Sequence, residues 1–198
     1  MAHESTDLAA LIGSRICHDL ISPIGAINNG LELLSMSGVA EGPELGLIGE
    51  SVDSASARIR FFRIAFGAAG DQMVGAAEIA SILRDLYDSS RLGLIWTPIE
   101  PQPRAAVRLA FLGILCLETA MPYGGTARIS EHDGTWRLEG HADKLNLEPA
   151  LWAHLDEVHS DVPLQPAQVQ FALLPAHALE INRKINIQSD ATKITISF

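Results

Sequence analysis

Cys17-His18-Asp19-Leu20-Ile21-Ser22-Pro23 sits inside a run, roughly residues 6–36, whose apolar side chains recur at helical spacing. Leu20, Ile24, Ile27, Leu31 and Leu34 step by 4, 3, 4 and 3, the spacing of a heptad seam. Gly13 and Cys17 continue that seam upstream with small residues, and Leu8, Ile12 and Ile16 lie beside it. Ser5, Thr6 or Asp7 can cap the start, and Gly38 suits the end. Gly42-Pro43 then opens a second helix reaching to about residue 67. Its Leu45, Ile48, Val52, Ala55, Ile59, Phe62 and Phe66 step by 3, 4, 3, 4, 3 and 4. A short connection makes the two helices an antiparallel hairpin. Folding near residue 40 sets position i opposite roughly 80 − i, so His18 is level with Phe62 and Arg63. A lone hairpin cannot bury both stripes. It packs on the rest of its own chain or pairs with a second copy, and a four-helix bundle from two hairpins is the simpler solution. A homodimer is therefore expected.

Gly67-Ala68-Ala69-Gly70-Asp71 breaks the helical period and places a boundary between a hairpin, 1–70, and a second domain, 71–198. Beyond it the pattern is mixed. Helices are expected over 76–87, 104–121 and 149–158, and over 166–179 with an interruption at Pro175. Strands are expected over 92–97, over 126–130 and 135–139 flanking Asp133-Gly134, and over 184–188 and 193–198. This order predicts an α+β fold, with helices on one face of a mixed sheet in the C-terminal domain.

Composition narrows the function classes. Among 198 residues the hydrophobic fraction is 47% and the charged fraction 19%, enough to bury a core and too little charge for disorder. A net charge of −10 argues against nucleic acid as partner. Cys17 and Cys116 form no disulfide framework and no zinc spacing, which fits a reducing, cytoplasmic setting. The N-terminus lacks the basic and apolar regions of a signal peptide, and no stretch reaches about 18 uninterrupted apolar residues, so no membrane span is expected.

With Cys17, Leu20 and Ile24 on the bundle core, His18 is offset to the outer flank, among Ser14, Arg15, Ile21, Ser22 and Gly25. Most of these are small, so a partner can approach the ring. Asp19 is placed to bond one imidazole nitrogen, orient the ring and leave the other nitrogen free to attack. Pro23 has no N–H for the Asp19 carbonyl, which favours a kink beside the histidine. Histidine, acid and proline at this spacing are a weak pattern alone. At this point His18 is open between a phosphoryl acceptor and an ordinary surface histidine. A Cys17–His18 metal pair is disfavoured because adjacent helical residues point apart. His3, His132, His141, His154, His159 and His177 are scattered and read as solvated or satisfied, and Arg58, Arg60 and Arg63 as a solvated helix face.

SRICHDLISPIGAINNGLELL (14–34) resembles the phosphoacceptor helix of the ChpT-type histidine phosphotransferases of alphaproteobacteria and, more loosely, the H-box of histidine kinase dimerisation domains. ARIRFFRIAFG (57–67) and AQVQFALL (167–174) resemble the same family, and the similarity spans nearly the whole chain. The resemblance implies a homodimer, a four-helix bundle carrying C-terminal domains shaped like a degenerate kinase ATP-binding domain, and a place in a phosphorelay. It implies that His18 accepts a phosphoryl group from the receiver domain of a hybrid kinase and passes it to response regulators, with Asp19 orienting the ring and handling protons. The docking face is then Ser14, Arg15, Ile21, Ser22 and Gly25, with Phe62 and Arg63 from the second helix.

A kinase of this type holds its nucleotide's metal with an asparagine late in its first long helix. Aligning LGILCLETA (112–120) on that helix puts Thr119 in the asparagine's place, with Glu118 beside it a poor substitute. LEGHAD (138–143) lacks the kinase D-x-G-x-G pattern, and 163–180 contains no glycine for a lid. No ATP binding and no cofactor of its own are therefore expected, the Mg²⁺ for transfer coming from the partner receiver. The competing readings are an ATP-dependent histidine kinase and a non-catalytic dimeric adaptor that docks receivers.

Overall fold

The computed structural model describes residues 2–37, 43–67, 70–155 and 163–198. Helices α1 (Ala2–Ser37) and α2 (Pro43–Ala65) pack together as the hairpin that the two seams require. Pro43 is the first residue of α2, where a missing N–H costs nothing. α1 continues through Pro23 as one helix. The Gly38 cap and part of the 67–71 break lie outside the described residues.

The seams split into two sets. Leu20, Ile27 and Leu34 on α1, with Ile48, Ala55 and Phe62 on α2, are partly or wholly buried. The alternate positions, Ile24 and Leu31 with Leu45, Val52 and Ile59, are exposed in the single chain.

After the hairpin come β1 (Met73–Val74), α3 (Ala76–Tyr87), β2 (Leu92–Trp96), β3 (Gln102–Pro103) and α4 (Arg104–Ala120). The hairpin β4 (Gly125–His132) and β5 (Thr135–His141) follows, then α5 (Pro149–Trp152), which runs into a 3-10 turn at Ala153–Leu155. A second 3-10 turn, Pro166–Gln168, leads into α6 (Gln170–Glu180), and β6 (Asn186–Ser189) and β7 (Lys193–Ser197) close the chain. The main sheet has the order β2-β4-β5-β7-β6, with β2 parallel to β4 and every other pairing antiparallel. It is the expected mixed sheet. β1 and β3 pair separately and were not expected, since two residues are too few to show a period. At the β4–β5 turn Asp133 has φ 49° and Gly134 φ 76°, the left-handed pair that a two-residue hairpin turn demands. Pro175 lies inside α6 without ending it, and the end of the helix expected at 149–158 falls outside the described residues.

α4 is apolar nearly all round because it is covered nearly all round. The strands of the sheet lie against it on one side, α6 and the C-terminal end of α2 on others. At Gly113 a Cβ would stand 2.5 Å from Leu138 Cδ2, so a larger residue there would push that leucine methyl aside. Phe111 of α4 stacks on Phe61 of α2 with ring centroids 4.5 Å apart. Phe61, Ile64 and Ala65 thus join the same core as the sheet residues Ile129, Leu138 and Ile196. One of the two outcomes left open for the hairpin holds here: the end of α2 packs on its own chain. The core crosses the expected boundary at residue 70 without a gap in the cluster.

Candidate functional site

His18 stands on α1 with its side chain 79% exposed, and Nδ1 lies 3.0 Å from Asp19 Oδ1. A carboxylate oxygen only accepts, so the ring donates from Nδ1, and in the neutral ring that leaves the lone pair on Nε2. Asp19 is 10% exposed, and its second oxygen accepts from Arg15 Nε at 2.8 Å, one helical turn back. Arg58 Nη1 on α2 lies 3.8 Å from that same oxygen. The acid that holds the ring is itself held by two guanidinium groups.

Arg15 also reaches out of the hairpin. Its Nη1 donates to the Ala167 carbonyl at 2.7 Å, in the 3-10 turn before α6. Beneath this contact lies a small cavity whose polar lining is Arg15, Asp19, Arg58, Tyr87 and Glu118. Burial pushes the Glu118 carboxyl above the usual carboxylate range, against the pull of its Tyr87 hydrogen bond and of the positive Arg15 and Arg58. Burial raises the Tyr87 hydroxyl well above its usual value, and the nearby Glu118 charge adds to this.

The raised Glu118 value has a consequence for stability. Its contribution is complete below the ordinary glutamate value, 4.5, and is lost as pH rises through the higher folded value. Glu118→Gln, which can still accept from Tyr87, removes that loss. The variant should be more stable than the parent at neutral pH and no more stable near about pH 4. Melting temperatures of the pair across that range check it.

The expected docking residues divide. Ile21 and Ser22 are exposed, and a Cβ at Gly25 would meet nothing within 4 Å, so this part of the α1 flank is open. Arg63 is exposed, 3.6 Å from Glu78. Phe62 does not fit the expectation: it is 6% exposed, its edge on Phe61 and its face on Phe66, so it supports the site from inside. Arg15 does not fit either, because its guanidinium is spent on Asp19 and Ala167. The side chains of Ser14 and Cys17 lie outside the described residues. Arg58, read from the sequence as solvated, belongs to the Asp19 cluster. Glu118, Tyr87 and Ala167 were not read from the sequence as part of this site. Among the described residues no cluster of three or more His, Cys, Asp or Glu side chains is placed to hold a metal ion, and no helix is long and apolar enough to cross a membrane.

Residues 76–193 match the family model described as the histidine phosphotransferase C-terminal domain. The chain is 34% identical over 204 residues to the protein phosphotransferase ChpT of Brucella abortus (strain 2308), covering 96% of this chain and 94% of that protein. Among solved structures it is similar to a bacterial phosphotransferase, with TM-score 0.79, 34% identity, and coverage of 97% of this chain and 95% of that one. The Acinetobacter baumannii histidine kinase AdeS aligns at 13% identity with TM-score 0.42 over 91% of this chain and 96% of that one, a likeness too slight to build on.

Proposed function

This chain belongs to the histidine phosphotransferase family and is a phosphorelay phosphotransferase with receiver-domain partners, and from that premise we propose that His18 is its phosphoacceptor and that ATP takes no part. The observation that carries the reading is the pairing of an exposed imidazole with a nearly buried acid 3.0 Å from its Nδ1, which leaves Nε2 of the neutral ring for attack. The ring takes a phosphoryl group from a receiver aspartate and returns it to another. The chain's own work is to present the nucleophile at a fixed angle, while the receiver brings Mg²⁺ and the charge stabilisation. The open flank at Ile21, Ser22 and Gly25 is where a receiver can close on the ring, with Arg63 at its edge.

The kinase relatives of such a fold imply ATP, and the residues present do not suit it. The Thr119 hydroxyl, in the place of the metal-holding asparagine, donates to the Leu115 carbonyl at 3.0 Å and accepts from Gln170 Nε2 at 3.2 Å. Both contacts turn it into the protein, and α6 packs along the same helix. No step is routed through a nucleotide.

The bare alternate seam of the hairpin supports a further part of the reading: two copies pair through it as a four-helix bundle. A purified receiver domain of a hybrid kinase, carrying labelled aspartyl phosphate, tests the transfer. Label should appear on this protein within seconds to minutes as an acid-labile, alkali-stable adduct, and labelled ATP alone should give none. Stable labelling by ATP would replace this reading with an autokinase; no labelling from any phosphorylated receiver would leave only a docking adaptor.

A further inference from the structure

We propose that the C-terminal half of the chain positions the reacting histidine, through a hydrogen-bonded relay from α4 and α6 to the ring: Thr119, Gln170, the Ala167 carbonyl, Arg15, Asp19, His18. The proposal rests on His18 being the phosphoacceptor. It gives the C-terminal half a task that needs no nucleotide.

Gln170 is 1% exposed. Its Nε2 donates to the Ala167 carbonyl at 3.0 Å and to the Thr119 hydroxyl at 3.2 Å. Its Oε1 is buried and meets no hydrogen-bond partner among the described residues. Turning the amide over would set Oε1 against the Ala167 carbonyl oxygen, so the nitrogen must face it. A glutamine that leaves one of its own atoms bare is a poor device for stability alone. It does fix the direction of the Ala167 carbonyl. The turn around that carbonyl is stiffened further by Pro166 and by reciprocal Gln165 and Gln168 side-chain bonds across the turn.

That carbonyl accepts from Arg15 Nη1 at 2.7 Å, while Arg15 Nε donates to Asp19 Oδ2 at 2.8 Å. The planar guanidinium makes these two bonds one rigid piece. Asp19 is then held with Oδ1 facing His18 Nδ1 at 3.0 Å. The result is an Nδ1–H ring on a surface where the solvent would otherwise be free to choose the tautomer. In the transfer, the Nε2 lone pair attacks phosphorus. The N–P bond forms as the P–O bond to the receiver's acyl oxygen breaks, and the receiver's carboxylate leaves with the electron pair. The ring keeps its Nδ1 proton and becomes an imidazolium, whose charge faces the Asp19 carboxylate. No proton has to leave.

Arg15 and Gln170 are positioning residues here, and the test reads position as well as rate. In the full-length, nitrogen-15-labelled protein, at a pH where the ring is neutral, a long-range proton–nitrogen spectrum reports which His18 nitrogen carries hydrogen. The parent should show the Nδ1–H form. Arg15→Lys keeps the charge but has one nitrogen and cannot span both acceptors. It should shift His18 toward Nε2–H and slow uptake from the phosphorylated receiver roughly ten- to a hundredfold, the size of loss found when the outer partner of a metal-bound histidine is removed. Gln170→Leu keeps the volume and removes the bare oxygen. It should shift the tautomer in the same direction while leaving the melting temperature unchanged or raised. Parent-like tautomer in either variant overturns the relay, and so does parent-like uptake in Arg15→Lys. If the parent itself takes no phosphate, the phosphoacceptor reading fails, while the tautomer spectra still judge the relay separately.

Discussion

His18→Ala takes up no phosphate from a phosphorylated receiver, with residual labelling below about one ten-thousandth of the parent rate, while its circular dichroism and melting temperature stay those of the parent. Both halves of this result follow from the placement of the ring. Its side chain is 79% exposed and hydrogen-bonds to Asp19, so truncation opens no cavity in the core. Surface substitutions of this kind change stability by about half a kcal/mol or less. Activity has no such margin. The group that forms the N–P bond is gone, and positioning by the rest of the site cannot replace a missing nucleophile. Asp19 is close by, but Arg15 and Arg58 occupy the oxygen turned away from the ring. A carboxylate attacking there would also give only another labile acyl phosphate. Quenched-flow labelling of the two proteins side by side decides the matter. A labelled His18→Ala protein of unchanged fold would assign the phosphate to a different residue.

The parts of this fold that were legible from sequence are those where one physical demand dominates a long stretch. The hairpin shows in two heptad seams, α4 in a helix apolar on nearly every side, and the β4–β5 turn in Asp133-Gly134, a pair that accepts the left-handed φ values the turn needs. β1 and β3 escaped because a two-residue ladder leaves no pattern. The site divides in the same way. His18 and Asp19 are adjacent in the chain and could be read together. The Arg15–Asp19 pair stands at the i, i+4 spacing of a helical ion pair, so its inward use was readable, and assigning Arg15 to docking overlooked it. Arg58 lies three residues from the position level with Asp19, about 4.5 Å along a helix, which a long arginine side chain spans. Gln170 and Glu118 come from distant segments whose apolar spacing marks them only as helix. The one available signal was a polar residue within a strongly apolar helix, which native proteins keep where it has a partner to meet.

If two copies pair as proposed, Ile59→Glu separates them, weakening association at least about a thousandfold, while the single chain keeps its fold. α2 has apolar side chains on two faces. Phe61, Ile64 and Ala65 are buried against the core of their own chain, so that face is already satisfied. Leu45, Val52 and Ile59 recur every seven residues on another line and are exposed, as are Ile24 and Leu31 on α1. Large aliphatic side chains at strict heptad spacing are costly to leave in water, and a two-fold partner offers the same stripe in return. Symmetry doubles the effect of a substitution there, since two carboxylates enter one apolar seam. Ile99, exposed in the loop between β2 and β3, serves as control: Ile99→Glu should leave the mass unchanged. Sedimentation equilibrium on the three proteins reads the result, and an Ile59→Glu protein that stays at the parent's mass would move the interface elsewhere. His18, Asp19, Arg15 and Ala167 all come from one chain, so the separated Ile59→Glu protein should still show the Nδ1–H tautomer of His18. The orientation of the nucleophile and the pairing of the copies are then independent properties of the same hairpin.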